Sequence, residues 1–308
     1  MQGTFMNNGI QLRWLNTAGF EIIMSNGKHI LLDPFLSGTI GNIVSHPISL
    51  DEIKGCDYLL LSHIHCDHAN DVEQIQKKFP DLNLFVVDLS ADPLCTWQNI
   101  NCAKLYRVRP GEVYEFDDLK IEVFAGRHTE SPRGYYRKDF EHDSTFDYSG
   151  WFGNLEFQNY LLTCCDGTKI FVWGGMTSPD QIHRFAGLNP DIALMHVSPK
   201  QSFEEFAHLT SAMNTQVIIP HHYDFSEAML DADPDKIKDM SLENQKNFVV
   251  NGMFSFAKYM DALNKVCREK KSPAFCCFIY SKGRGFSCYL FSLFHRFKFS
   301  SGQSIDAL

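Results

Sequence analysis

Leu59-Leu60-Leu61 runs directly into Ser62-His63-Ile64-His65-Cys66-Asp67-His68. An apolar stretch of strand character thus ends in three histidines and one carboxylate within six residues. Asn70 then reads as a helix cap, and 71–79 as a helix. This stretch limits the fold more than any other. Charged and polar groups crowded at the end of a buried strand are costly without a partner, and a bound cation supplies one. A lone histidine is ordinarily a surface or satisfied core residue; three beside an aspartate are not. At a strand-to-helix turn His63 and His65 can point the same way while Asp67 and His68 project from the turn, so two adjacent ions fit one loop. Imidazole nitrogen and carboxylate oxygen bind zinc, manganese or iron, and the donor set does not choose among them. Cys66 is a further thiol in the loop, but the spacing favours its neighbours as ligands.

Strands are expected over 11–16, 20–25 and 28–33, with Asn26-Gly27 as a hairpin turn. Further strands are expected over 57–62, 83–88, 104–108, 113–116, 119–124, 155–164, 169–173, 191–196, 216–219, 275–280 and 286–291. Helices are expected over 48–54, 71–79, 92–99, 179–185, 203–213 and 245–269. Strands followed by helices occur twice, with no sequence repeat. Segment 131–153 is too aromatic for disorder and too interrupted by Gly and Ser for a regular period. It is either a lid or pocket wall, with Arg133, Tyr136, Arg137 and Lys138 as binders of a substrate phosphate or carboxylate, or an interface.

The formal net charge of −9 over 308 residues argues against a nucleic-acid surface, so none is expected as a partner. The N-terminus lacks the basic start and apolar core of a signal peptide, and no apolar run approaches a membrane span. The ten cysteines include no Cys-x-x-Cys and read as reduced, mostly buried thiols in a cytoplasmic protein. The apolar, basic stretch 290–299 reads as a core cover or oligomer contact, with membrane contact the lesser alternative.

The pattern His63-x-His65-x-Asp67-His68 resembles the signature of the metallo-β-lactamase superfamily, and its layout is matched over residues 10–225. The opening, the long insert after His128 and Pro220-His221-His222-Tyr223-Asp224 look most like the lactonase branch, whose named member acts on L-ascorbate 6-phosphate. The resemblance implies an α/β (α+β) fold, a four-layer αββα sandwich. It would be a single domain over 1–308, with the aromatic insert at 131–153 and a C-terminal extension at 226–308. It implies His128 as the next metal ligand and His222 as the last, with His221 in reserve. Asp33, in an Asp-Pro pair, is either a partner of the metal ligands or a simple turn residue. The chain departs from the family near Gly175, where a bridging aspartate is expected; Asp180 nearby reads as charging the first turn of its helix.

By this resemblance His63, His65 and His128 hold one ion, and Asp67, His68 and His222 hold a second if it is present. Activated water is then the nucleophile, and Asp67 orients it or carries its proton. The expected function is a metal-dependent hydrolase of a small anionic substrate such as a phosphorylated sugar lactone. The alternatives are a phosphodiesterase of the same fold, or a catalytically weakened ligand-binding protein. A homo-oligomer is plausible from the resemblance.

Overall fold

Strands buried mostly on both faces build two sheets that share one core. The computed structural model describes residues 4–7, 9–37, 47–128, 152–153, 157–176, 179–197, 202–215, 217–222, 258–259, 261–266, 269, 275–282 and 285–291. Among these, the first sheet contains β1 (Thr4–Asn7), β2 (Ile10–Trp14), β3 (Phe20–Ile23), β4 (His29–Leu32), β5 (Tyr58–Leu60), β6 (Asn83–Val87) and β7 (Leu105–Val108), in sequential order. It is antiparallel to β4 and parallel from there on. The second sheet contains β8 (Val113–Glu115), β9 (Leu119–Ala125), β10 (Gln158–Cys164), β11 (Lys169–Trp173), β12 (Ile192–His196), β13 (Val217–His221), β14 (Phe275–Lys282) and β15 (Gly285–Phe291). There β11 to β14 are parallel, flanked by antiparallel pairs.

Side chains alternate across each strand, so one register puts Ile30, Leu32, Tyr58, Leu60 and Phe85 between the sheets, against Ile121, Leu162, Val172 and Leu194. The opposite faces are also apolar. Leu31, Leu59 and Val86 meet α2 (Val72–Lys78) and α3 (Asp88–Trp97). Phe171, Trp173 and Met195 meet α4 (Pro179–Phe185), α5 (Phe203–Ala212) and Tyr259, Leu263 and Val266. Helix, sheet, sheet, helix is the expected αββα order. Residues 258–259, 261–266 and 269, inside the stretch read as a helix, are helical. No helix among the described residues is long and apolar enough to cross a membrane.

Several local expectations are corrected. Asn70 is not an N-cap: a short helix, α1 (Cys66–Ala69), precedes it, and Asn70 closes that helix in αR geometry with its N–H on the Cys66 carbonyl. Asp71 holds the N-cap position of α2, but its carboxylate instead accepts from Leu36 N (2.8 Å) and Ser37 Oγ (3.1 Å). Helix α3 starts four residues earlier than expected and runs through Pro93, held by the burial of Ser90, Ala91 and Leu94. Strand β1 was not anticipated. Of the six cysteines whose side chains are described, Cys56 and Cys164 are buried, Cys66 and Cys95 partly so, and Cys102 and Cys165 are exposed.

Candidate metal centre

The strand directions place the site. β2 and β4 are each antiparallel to β3, and β5 is parallel to β4, so their C-terminal ends share one edge. In the second sheet β9, β11, β12 and β13 run the same way by the same reasoning. These ends deliver Thr17, Asp33, His63 to His68, His128, Gly174, His196 and His222. The sheets are tied there by Tyr160 Oη donating to the Leu61 carbonyl (2.7 Å) and Gln158 N–H to that of Ser62 (2.9 Å).

Two clusters form at this edge. His63, His65 and His128 bring one donor atom each within 4.8 Å of one another, and so do Asp67, His68 and His222. Each cluster draws on both sheets. His63 Nε2 and His65 Nδ1 are 2.9 Å apart, and the His128 ring lies 4.9 and 4.6 Å from theirs. Asp67 Oδ2 is 3.2 Å from His222 Nε2 and 3.6 Å from His68 Nε2. Two nitrogen ligands on one tetrahedral zinc stand about 3.3 Å apart, so small adjustments bring either cluster onto an ion. The His63 and His68 rings, 4.0 Å apart, put the clusters side by side. Cys66 belongs to neither. Arg133, Tyr136, Arg137 and Lys138 lie outside the described residues.

Asp33 is more than a turn residue. Its Oδ1 accepts from Ser62 N (2.7 Å), and its Oδ2 from Ser62 Oγ (2.5 Å) and His68 Nδ1 (3.0 Å). Thr17, absent from the sequence reading, joins the two loops of the second cluster: its Oγ1 donates to the Asp67 carbonyl (3.2 Å) and its own carbonyl accepts the His222 N–H (2.9 Å). Non-glycine residues with positive φ are uncommon and gather at functional sites. Four of the six described here, Asn16 (74°), Thr17 (41°), Asp33 (38°) and His222 (67°), surround this cluster. No local sequence signal marked Thr17, because its role comes from two segments far away in the chain.

Burial, helped by the neighbouring imidazoles, pushes His63 well below the ordinary histidine value, which keeps it neutral and fit to be a ligand. For His68 burial acts in the same direction but is outweighed by the carboxylates of Asp67 and Asp33, and its pKa is raised. Burial would raise Asp67, yet His68 and the hydrogen bond from His222 hold it far below the usual carboxylate range. This donor set, imidazoles beside an ionised carboxylate, fits a divalent cation.

Gly175 sits where the bridging carboxylate was expected, and no side chain fits: a Cβ there would lie 2.6 Å from the Arg127 carbonyl oxygen. Asp180 falls in the first turn of α4, as expected. The end of β13 brings His222, not His221, into the second cluster. His221 is instead buried, with its ring edge-on to Phe20. His196, not singled out from sequence, ends β12 and stacks on His222, ring centroids 4.1 Å apart and planes 16° apart. Its signal was positional: it is the last residue of a strand paired with the strand that delivers His222.

Comparison with known proteins gives concordant matches. The family described as Beta-lactamase superfamily domain matches residues 11–222. A UPF0173 metal-dependent hydrolase of Methanobrevibacter smithii is 27% identical over 226 residues, 70% of this chain and 82% of that protein. Another, of Sulfurisphaera tokodaii, is 30% identical over 120 residues, 39% of this chain and 51% of that protein, so that match spans about half the relative's length. Igni18, a metallo hydrolase of Ignicoccus hospitalis, shares the fold with a TM-score of 0.50 and 17% identity, over 70% of this chain and 82% of that one.

Proposed function

The chain belongs to the β-lactamase superfamily, and on that premise we propose that it is a metal-dependent hydrolase of a small anionic molecule, with a phosphorylated sugar lactone as the substrate class. The observation that carries this reading is the pair of His/Asp clusters, each drawn from both sheets. His63, His65 and His128 would hold one ion, and Asp67, His68 and His222 a second; zinc or manganese would suit the donors, and iron would be accepted by the same set. A divalent ion bound there supplies Lewis acidity toward a carbonyl or phosphoryl oxygen and lowers the pKa of water from about 16 toward 7.

The chain's own groups do the rest. Asp67, ionised and itself a donor of the second cluster, orients the attacking water or carries its proton to the leaving oxygen. Asp33 engages Nδ1 of His68 and leaves Nε2 for the cluster. Arg133, Tyr136, Arg137 and Lys138 provide donors for a phosphate or carboxylate of the substrate.

The crowding at Gly175 favours a second reading, a weakened ligand-binding protein, since no carboxylate can bridge from there. To separate these, zinc, manganese and iron are counted on protein purified without chelator. Ring opening of a phosphorylated sugar lactone is then assayed beside cleavage of a phosphodiester. Lactone hydrolysis that disappears in His63→Ala supports the proposal. Phosphodiester cleavage alone replaces the substrate class, and a metal-loaded protein inert to both favours the binding protein.

A further inference from the structure

We propose that Cys95 and Cys102 form a reversible modification site: a small-molecule disulfide oxidises the pair to an intrachain disulfide that braces the helix carrying Asp67 and His68. The two Sγ atoms lie 3.0 Å apart. A disulfide bond is about 2.05 Å long, so an approach of about 1 Å joins them. Cys95 sits in the last turn of α3, and Cys102 opens the 3-10 turn Cys102–Lys104. Cys102 is exposed and Cys95 partly buried, so a reagent meets Cys102 first. Burial, then the hydrogen bond with Cys102 and its charge, push the Cys95 thiol up to about 12. Capping Cys102 removes the last two of these causes, so Cys95 gains thiolate character once its partner has reacted.

The Cys102 thiolate attacks one sulfur of the reagent, forming a mixed disulfide and releasing one thiol. The Cys95 thiolate then attacks the Cys102 sulfur and expels the second thiol. Two protein thiols give up two electrons and two protons, and the reagent becomes two thiols. The ring closed in this way encloses the residues that hold the metal loop from behind. Gln98 Nε2 donates to the carbonyl of Ala69 (2.8 Å), the last residue of α1, on which Asp67 and His68 lie. Gln98 Oε1 accepts from the Glu73 N–H (2.9 Å), and the Asn101 backbone exchanges two hydrogen bonds with the Gln76 side-chain amide (2.7 and 2.9 Å). A bond from Cys95 to Cys102 restricts this segment in the unfolded chain, which favours the folded one.

The test uses the full chain as purified, with oxidised glutathione as the reagent. Remaining thiols are blocked in acid with N-ethylmaleimide, and the unreduced protein is cut with trypsin, which leaves both cysteines in the one peptide 79–104. In wild type that peptide should lose two hydrogens and take no blocking group, and dithiothreitol should restore two blockable thiols. In Cys95→Ser it should instead accumulate glutathione on Cys102. Oxidised wild type should melt about 3 °C above the reduced form, a gap that Cys95→Ser lacks. Glutathione held stably on Cys102 of wild type, or a pair that stays reduced throughout, overturns the site. A disulfide that forms but leaves Tm unchanged, or lowers it, overturns the brace.

Discussion

Asp33 binds two partners through one carboxylate, the Ser62 turn and the His68 ring, and does so from a left-handed backbone (φ 38°) that aspartate tolerates better than most residues. Such an outer partner sets the tautomer of the ring it holds, and losing one typically costs 10–100-fold in metal affinity. Asp33→Ala is therefore expected to weaken ion binding by about that factor, read by competition against a chromogenic chelator. Unchanged affinity would make Asp33 a turn residue only. Gly153 acts at the same scale by having no side chain: a Cβ there would run into the His65 ring. Gly153→Ala should displace His65 and weaken the His63/His65/His128 ion about tenfold or more, with far-ultraviolet circular dichroism unchanged. Equal loading of variant and wild type would show that the ring has room to move.

At the scale of elements, the turn between β8 and β9 is tied to the other sheet by Asp118. Its carboxylate accepts from Tyr58 Oη (2.6 Å) on β5 and from Asn26 Nδ2 (3.2 Å), and pairs with Lys28 Nζ (2.5 Å). Burial would raise its pKa, but Lys28, Tyr58 and Asn26 together hold it below the ordinary 3.8. A carboxylate depressed in the folded state adds stability above its unfolded pKa, and that stability is lost as pH falls through the folded value. Asp118→Ala should cost about 1–3 kcal/mol at pH 7, seen in urea unfolding, and the gap to wild type should narrow below about pH 4. A gap that does not narrow at all as pH falls below about 4 would mean the effect is packing alone. Legibility followed the same division. The strands and the His63–His68 loop were readable because alternation, turn residues and ligand spacing are local. Beginnings of elements were less so: the residue that looked like an N-cap closes α1, and the helix expected from Asp92 is already under way at Asp88. The role of Thr17 was invisible, since it is defined by contacts between chain segments brought together only by sheet order.

For the whole molecule, the layout of the clusters makes ion binding a statement about stability. His63 and His65 follow β5 of one sheet while His128 follows β9 of the other; Asp67 and His68 against His222 repeat that division. An ion in either cluster therefore bridges the two halves of the sandwich at one edge, and it binds the folded chain in preference to the unfolded one. At a free concentration one hundred times Kd this linkage adds about 2.7 kcal/mol. At about 2.1 cal/mol/K of unfolding entropy per residue, each kcal/mol moves Tm by about 1.5 °C in a chain of this length. Stripping the protein with EDTA should then lower Tm by about 4 °C, reversibly on adding back zinc or manganese. In His63→Ala, where the first cluster is broken, the chelator-sensitive part of Tm should shrink, and the apo forms of variant and wild type should melt closer together than the loaded forms. If EDTA leaves Tm unchanged in a wild type shown to carry metal, the ions do not couple the two sheets, and the clusters serve chemistry without contributing to the fold. If the shift is present and His63→Ala keeps all of it, the stabilising ion is held by Asp67, His68 and His222 alone.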